Sequence, residues 1–585
     1  MRTFTAAAAA AAILNANPSV AGETPINWDD IKPSHDLEYQ SCSDGLECAR
    51  LIVPLDWLEA NQTKRDEQTI ILALAKQPAT VAIDDPKFGG TVIVNPGGPG
   101  DSGVLHIQRN GEYLQEMMDS ENKHFEVLSF DPRGMANSFP ISDCFSDEAS
   151  RALTGAVQAG MGVPNSNSDA SLALHKAYWE AIGMQCSQPG PHGYAIQDYM
   201  STASVARDML HMVDKLDVWK KKQLDTKSEQ TAQKPLGSIE TDKDEQEPRL
   251  LYYGTSYGTL LGNTFISMFP GRTGRMILDG VVVPEDYSDG DWCPNLEDTS
   301  KTINYFYETC FDAKDKCALY KASEKNWHQL RDRVEQKIAD LDTNPVPFIA
   351  DGVAPGIINS AVVRNRMMDP IYGPLDLFDG LAKTLLEVLN GNYTSLLKET
   401  GMTKRPDTCS KPDPSAYAWM GEANLAVRCG DGADLRDRSL DFWRDTYERC
   451  VKNSPEIGPG WFAVACGGWQ SRPKFRFSGP FKSPVADLKN IEGRPSAPVL
   501  FLSSRLDPVT PLVSAHTASK NHPGSVVLMQ DSVGHCTLLS SPSKCTREHV
   551  GRYLDTGELP EEGTVCEADC RPWEHCDHKR AQFPR

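Results

Sequence analysis

No apolar run long enough to cross a bilayer follows the first few residues of this chain. A spanning helix needs ~18 or more consecutive apolar residues, so a membrane span is not expected. Positive charge is also scarce. Lys and Arg number 59 against 80 Asp and Glu, for a formal net charge of −21. A nucleic acid backbone repels such a surface, so nucleic-acid binding is disfavoured, although acidity alone identifies no substrate. There is no internal repeat, which excludes solenoid and propeller architectures. The Cys and His spacings fit no ordinary zinc pattern, the nearest being Cys566, Cys570 and Cys576 beside His575 and His578.

What is present is an ordinary globular balance, with 40% apolar and 24% charged residues in 585. That length exceeds one compact core, so two or three units are expected. Residues 1–21 read as a signal peptide: Arg2 supplies charge, Ala6 to Leu14 form a short apolar run, and Ser19-Val20-Ala21 offers small residues for cleavage. Sixteen cysteines agree with export, where an even, dispersed set forms disulfides and thiolates do not persist. Cys42 and Cys48 are close enough to close a small loop, and Cys536 with Cys545 would staple the loop after His535. Asn61 and Asn392 head glycosylation sequons. A secreted, extracellular protein is the expectation.

From about residue 50 short apolar runs alternate with helical patterns, the signature of a parallel sheet covered by helices. Runs at Thr91–Val94, Phe125–Phe130, Leu250–Tyr253, Met276–Leu278, Val499–Leu502 and Val526–Met529 predict strands buried on both faces. Thr202–Leu216 predicts a helix with one apolar face. Residues 220–248 are dense in Lys, Glu, Gln, Asp and Thr and predict a flexible surface insertion. The alternation breaks over 291–490, a helix-patterned stretch rich in Trp and Cys, and resumes after Pro498. An insertion between late strands lies over their carboxyl ends, so this stretch predicts a lid or cap, with an independent domain beside the sheet as the alternative. The expected core is then 40–290 plus 491–575.

Gly254-Thr255-Ser256-Tyr257-Gly258 follows an apolar strand and precedes a helical pattern, which is the setting of a nucleophile elbow. A bare GxSxG arises by chance roughly 0.2 times in a chain this long at average composition, so the preceding strand matters. A serine hydroxyl needs a base, and the base needs a carboxylate to fix its tautomer. Downstream, Asp507 stands just past the strand Val499–Leu502, and His535 follows the strand Val526–Met529. This is the Ser, acid, His order of the α/β-hydrolases. A turn aspartate and a solvated loop histidine are the bland alternatives. His516 and His522 are rivals in less suitable places, and Thr510 is a candidate to hold Asp507. An oxyanion hole takes two backbone N–H donors. Tyr257 is one candidate; Gly98, then Gly97, in Asn95-Pro96-Gly97-Gly98-Pro99-Gly100 are candidates for the second. This chemistry needs no metal or organic cofactor.

Together NPGGPGDSG (Asn95 to Gly103), FDPRGMANS (Phe130 to Ser138), GTSYGTLLG (Gly254 to Gly262), LDGVV (Leu278 to Val282), LDPVTP (Leu506 to Pro511) and GHC (Gly534 to Cys536) resemble the proline iminopeptidase and tripeptidyl aminopeptidase family of serine peptidases. The likeness runs from about residue 40 to 570, omitting 220–248, and its C-terminal part looks like the domain typical of tripeptidyl aminopeptidase-like proteins. It implies an α/β-hydrolase fold, a mostly parallel central sheet flanked by helices, with a largely helical cap insertion. It also implies cleavage of an amide at a peptide N-terminus, and hence an acid in the cap for the α-ammonium. The segment Ala423 to Asp431 resembles a family segment, making Asp431 a candidate with Glu422 beside it. The family also contains esterases, and triad chemistry does not distinguish an ester from an amide. The expected partner is a peptide or small-molecule substrate. Oligomeric state is not legible.

Overall fold

The structure, a computed structural model, describes residues 26–576 apart from 146, 231–246, 352, 354, 404–416, 462–463, 484–497 and 575. The expected signal peptide lies outside the described residues. In chain order the strands are β1 (Pro33–Ser34), β2 (Gln40–Ser43), β3 (Leu46–Pro54), β4 (Thr69–Gln77), β5 (Phe88–Asn95), β6 (His124–Asp131), β7 (Leu250–Thr255), β8 (Thr273–Asp279), β9 (Val346–Phe348), β10 (Gly356–Ile358), β11 (Leu500–Leu506), β12 (Val526–Val533) and β13 (Val565–Glu567). β9 and β10 form a small hairpin of their own. The other eleven make one sheet in the order β1-β3-β4-β6-β5-β7-β8-β11-β12-β13, with β2 on β3. From β6 to β13 every pairing is parallel. Only β4 against β3 and β6, and β2 against β3, run antiparallel. This is the α/β-hydrolase fold.

All six predicted strands lie in the parallel part. Their continuous Val, Ile and Leu runs are buried because helices cover both faces. The carboxyl ends of β5, β6, β7, β8, β11 and β12 carry residues 95–103, 131–138, 256, 279, 507 and 535, so the polar loops gather along one edge. Two of these loops lock together. Asp131 Oδ1 accepts from Ser102 Oγ (2.6 Å) and Val104 N (3.1 Å), fixing the start of the helix Gly103–Met118. Its Oδ2 accepts from Asn137 N (2.9 Å) and Asn137 Nδ2 (2.8 Å). Behind them Arg133 is fully buried. It pairs with Asp208 through Nε and Nη2, both at 2.7 Å, and donates to the carbonyls of Pro54, Leu55 and Tyr199.

The helix predicted over 202–216 extends over Thr202–Gln230. The first part of the expected flexible insertion, residues 220–230, is therefore helix, and residues 231–246 lie outside the described residues. Lys, Gln and Leu are strong helix formers, and Lys221 pairs with Asp217 one turn back at 3.1 Å, so a polar composition there is a solvated helix face. The hairpin of β3 and β4 was not foreseen.

The stretch 291–490 is mainly helical. Its first part has its own core around Leu296, Phe306, Leu330, Phe378 and Leu385, stapled by Cys293–Cys450 and Cys310–Cys317. Its last part, including the helix Met420–Asp431, Trp443 and residues 464–469, shares the sheet's core. A second excursion was missed. The helices Glu148–Met161 and Asp169–Cys186, between β6 and the helix Thr202–Gln230, pack under that last part. They are held by Cys144–Cys186.

Removing one partner of a buried ion pair strands the other, at a cost of about 3–5 kcal/mol. Asp208→Ala is expected to lower the urea midpoint accordingly. Asp36→Ala, which breaks the exposed pair with Lys215, should leave that midpoint unchanged.

Candidate active site

Ser256 stands between β7 and the helix Tyr257–Met268 with φ 55° and ψ −124°, a left-handed conformation that L-residues avoid. The flanking glycines explain how the corner closes. A Cβ on Gly254 would lie 2.5 Å from Gly258 O, and one on Gly258 would lie 2.6 Å from Asn95 O. Helix, β7 and the end of β5 touch there, and only glycine fits. Ser256 N donates to Asp279 O at 3.0 Å, which fixes the turn from the next strand.

Asp507 is fully buried just past β11. Its Oδ1 accepts from Val509 N (3.0 Å) and Thr510 N (2.9 Å), and its Oδ2 from Cys536 N (2.8 Å). Burial pushes its carboxyl up, but His535 and these N–H groups outweigh that and hold it below the ordinary range. Both oxygens lie 3.0 Å from His535 Nδ1, and Thr510 Oγ1 lies 3.1 Å from the same nitrogen. That network assigns the proton to Nδ1 and leaves Nε2 as the basic atom. His535 is further held by its N–H on Tyr372 O (2.9 Å) and by edge contact with the Tyr372 ring at 4.9 Å. Among the described residues Ser256 Oγ and His535 make no hydrogen bond. In resting enzymes this bond is often long and tightens with substrate. A Cβ on Gly280 would lie 3.4 Å from His535 Cε1. The backbone of Ser256 meets the thiol of Cys536, the neighbour of His535.

Gly97 and Gly98 both have positive φ, 105° and 101°. A Cβ on Gly97 would lie 2.9 Å from Ser256 Cβ, so this loop abuts Ser256. Gly97 N–H is engaged by Asn95 Oδ1 at 3.1 Å, whereas Gly98 lines the cavity above Ser256 together with Tyr257. The rivals to His535 lie elsewhere. His516 is exposed on the helix Leu512–Ser519, and His522 is a core histidine between Ser483 Oγ and Asn263 Oδ1, pushed down to about 4 by burial.

The cavity has a volume of about 320 Å3. Its floor is Ser256, Tyr257 and Gly98, and its walls come from the two excursions, with Trp179, Trp292, Tyr372 and Met420 among them. The cap carboxylates expected to hold an α-ammonium are not on this wall. Asp431 is turned toward the nucleophile helix: it accepts from Thr202 N (2.9 Å) and Thr202 Oγ1 (2.5 Å), and Thr202 Oγ1 lies 2.5 Å from Tyr257 OH. Glu422 is buried against Arg151. Asp431 holds the cap onto the core, and Glu422 holds it to the helix Glu148–Met161 of the second excursion. The carboxylates that do line the cavity are Asp101 and Glu456, and two guanidiniums join them, Arg364 and Arg428. Sequence reasoning passed over all four. Two of them had a signal: Asp101 in the NPGGPGDSG loop, and Arg428 within the segment Ala423 to Asp431.

Among the described residues seven disulfides form, including the expected Cys42–Cys48. The expected staple from Cys536 to Cys545 does not form. Cys545 opens the helix Lys544–Thr556 and bonds Cys566 on β13, while Cys536 is a buried free thiol directed at Asp279 O, 3.6 Å away. Cys570 bonds Cys576, so Cys566, Cys570 and Cys576 offer no thiolate to a metal. His575 and His578 lie outside the described residues. Asn61 and Asn392 are exposed. No helix among the described residues is long and apolar enough to cross a membrane.

Residues 454–566, which contain Asp507 and His535, match the family model described as TAP-like protein. Serine protease Hip1 of Mycobacterium tuberculosis is 24% identical over 550 residues, covering 93% of this chain and 91% of that protein. The chain is homologous to serine peptidases. Tripeptidyl aminopeptidase of Streptomyces lividans is 25% identical over 584 residues, covering 98% and 91%. Carboxylesterase B of Mycobacterium tuberculosis is 29% identical over 162 residues, covering 28% of the hydrolase and 27% of its own length.

Burial raises the carboxyl of Asp279 to about 6 and that of Glu422 to about 7, against the help of Thr537 and Tyr253 in the first and of Arg151 in the second. The folded hydrolase therefore keeps protons that the unfolded chain has released above about pH 4–5, so stability falls as pH rises from there through about 7. His106 and His522, both pushed down to about 4 by burial, oppose this below about pH 6.5, so the carboxyls' part is read by comparing the difference, Tm at pH 5 minus Tm at pH 7.5, in the parent and in a variant. Glu422→Gln should reduce that difference.

Proposed function

We propose that this serine hydrolase is a secreted aminopeptidase that releases short peptides or single residues from peptide N-termini. The observation that carries the reading is the cavity over Ser256, with the Asp101 carboxylate on its wall beside the Gly97–Gly98 loop. A volume near the low end of small-ligand pockets, ~300–1,000 Å3, suits a chain end of a few residues. Asp101 suits the free α-ammonium of that end. Burial raises its carboxyl to about 6, against the pull of His535, so it is ionised at neutral pH and offers a negative charge in a poorly hydrated place. Glu456 is the second candidate.

In this reading His535 Nε2 takes the proton of Ser256 Oγ as the oxygen attacks the scissile carbonyl carbon. Asp507 stays ionised and steadies the imidazolium through Nδ1–H. The N–H groups of Tyr257 and Gly98 receive the developing oxyanion. His535 passes its proton to the leaving amine, the C–N bond breaks, and an acyl ester remains on Ser256. Water then attacks that ester carbon, giving its proton to His535; the bond from the carbon to Ser256 Oγ breaks, Oγ takes the proton back from His535, and the product acid leaves. Thr510 acts on this machinery through Asp507 and His535. The seven disulfides support an oxidising, extracellular setting, and residues 1–21 have the composition of a signal peptide; Asn61 and Asn392 would be glycan acceptors.

A second reading is an esterase acting on a small molecule. The stretch similar to Carboxylesterase B favours it.

Ser256→Ala is expected to abolish labelling by a fluorophosphonate probe. Release of a coloured amine from tripeptide anilides should exceed that from their N-acetylated forms, and Asp101→Asn should cut kcat/KM for the free-amine substrates about tenfold or more, mostly through KM, while sparing the acetylated ones. Ester cleavage without any anilide cleavage would transfer the assignment to the esterase.

A further inference from the structure

Among the described residues, Arg428 is the one guanidinium on the cavity wall that no carboxylate satisfies. Arg364, the other, is held by both oxygens of Glu335. Arg428 makes no ion pair and no side-chain hydrogen bond among the described residues, and its Nε is a buried donor without an acceptor. The carboxylates of Asp101 and Glu456 on the same wall do not reach it. Its charge rests on the face of Trp292, with Cζ 4.7 Å from the ring centroid. Burial without a counter-charge lowers its affinity for the proton, to about 10, which leaves it cationic at neutral pH. A half-buried guanidinium whose Nε has no acceptor is a costly arrangement unless an anion completes it.

Its position says where that anion would be. Met420, Gly421, Asn424 and Arg428 all line the cavity from the helix Met420–Asp431, so they share one helical face. Asn424 Nδ2 donates to Pro99 O at 2.8 Å, which pins that face to the loop beside Ser256. Arg428 stands four residues further on, about 6 Å along the axis. That is a reach of roughly two peptide units at ~3.3–3.6 Å each.

We propose that Arg428 is a specificity residue that binds a carboxylate of the substrate about two residues from the bond cleaved. A guanidinium fork takes a carboxylate with two parallel bonds, and Trp292 holds the fork's plane. Two sources of that carboxylate exist, and their separation rests on the aminopeptidase reading. On the acyl side, where the chain end is a free amine, it is an Asp or Glu side chain. On the leaving side it is also the α-carboxylate of a very short peptide.

The test uses the full-length enzyme and three matched substrate sets. Peptides with Glu or Gln at each of the first three positions address the acyl side. Tetra- and pentapeptides ending in a free carboxylate or in a carboxamide address the leaving side. Nitrophenyl half-esters of succinate, glutarate and adipate, each against its methyl diester, read Arg428 even in an enzyme that cleaves no amide. The wild-type enzyme is expected to favour the carboxylate form in at least one set by roughly 10- to 100-fold in kcat/KM, carried by KM. Arg428→Gln should abolish the preference, read as the ratio of carboxylate to neutral substrate within the variant, and Arg428→Lys should retain a smaller part of it. A wild-type enzyme indifferent to the carboxylate in all three sets overturns the proposal. So does a preference that is the same in Arg428→Gln, or in Arg428→Lys if the glutamine variant does not fold. Preference among the half-esters with no peptide cleaved would keep this assignment and remove the aminopeptidase reading. Peptide cleavage without preference would do the reverse.

Discussion

The tight corner at Ser256 is the constraint on which the rest of this molecule depends. Three backbone segments meet there at van der Waals distance: the end of β5 at Asn95, the end of β7, and the first turn of the helix Tyr257–Met268. Gly254 and Gly258 are the only residue type that allows the contact. Because the segments touch, the Gly97–Gly98 loop is delivered against the serine, and the helix N-terminus is aimed at the same point. The N–H of Ser256 on Asp279 O adds the next strand to the cluster. One steric requirement thus sets a hydroxyl and its neighbouring donors together.

The second layer of the design is the placement of charge. Asp507 receives three backbone N–H groups besides His535, which keeps a fully buried carboxylate ionised where the imidazole needs it. The other buried acids are spent on assembly. Asp131 ties the β6 loop to the first helix of the Gly-rich loop, Asp208 neutralises Arg133, Glu422 meets Arg151, and Asp431 reaches Tyr257 through Thr202. Burial opposes ionisation at several of these, so the cap is fastened by groups whose protonation is finely set. Disulfides then fix the cap internally and to itself rather than to the sheet.

The parallel sheet was legible because its strands are buried on both faces and so read as unbroken apolar runs. The antiparallel pair β3 and β4 was passed over although Ile70 to Ala75 is such a run; it ends at a buried charge, Lys76, which pairs with Glu126. The polar stretch after Leu216 misled because a solvated helix and a flexible insertion share a composition, and only the length of the helix separates them. Cys536 and Cys545 looked like partners because they are near in sequence. Pairing is decided by where Cβ vectors point, and Cys545 points at β13.

Sequence alone located the tight corner at Ser256 and placed Asp507 and His535 just past two strand ends. Those depend on local rules: a glycine where no side chain fits, a polar residue just past an apolar strand. The tertiary structure alone decided which residues line the cavity. The wall is assembled from residues near 100, 175, 292, 364, 428 and 456, hundreds of positions apart. Asp431 and Glu422 resemble ligands in the sequence and are buried fasteners in the fold, while Arg428, on the same helix, faces the cavity. A rotation of 100° per residue separates the two fates, and what each face meets is fixed only when the cap closes on the sheet.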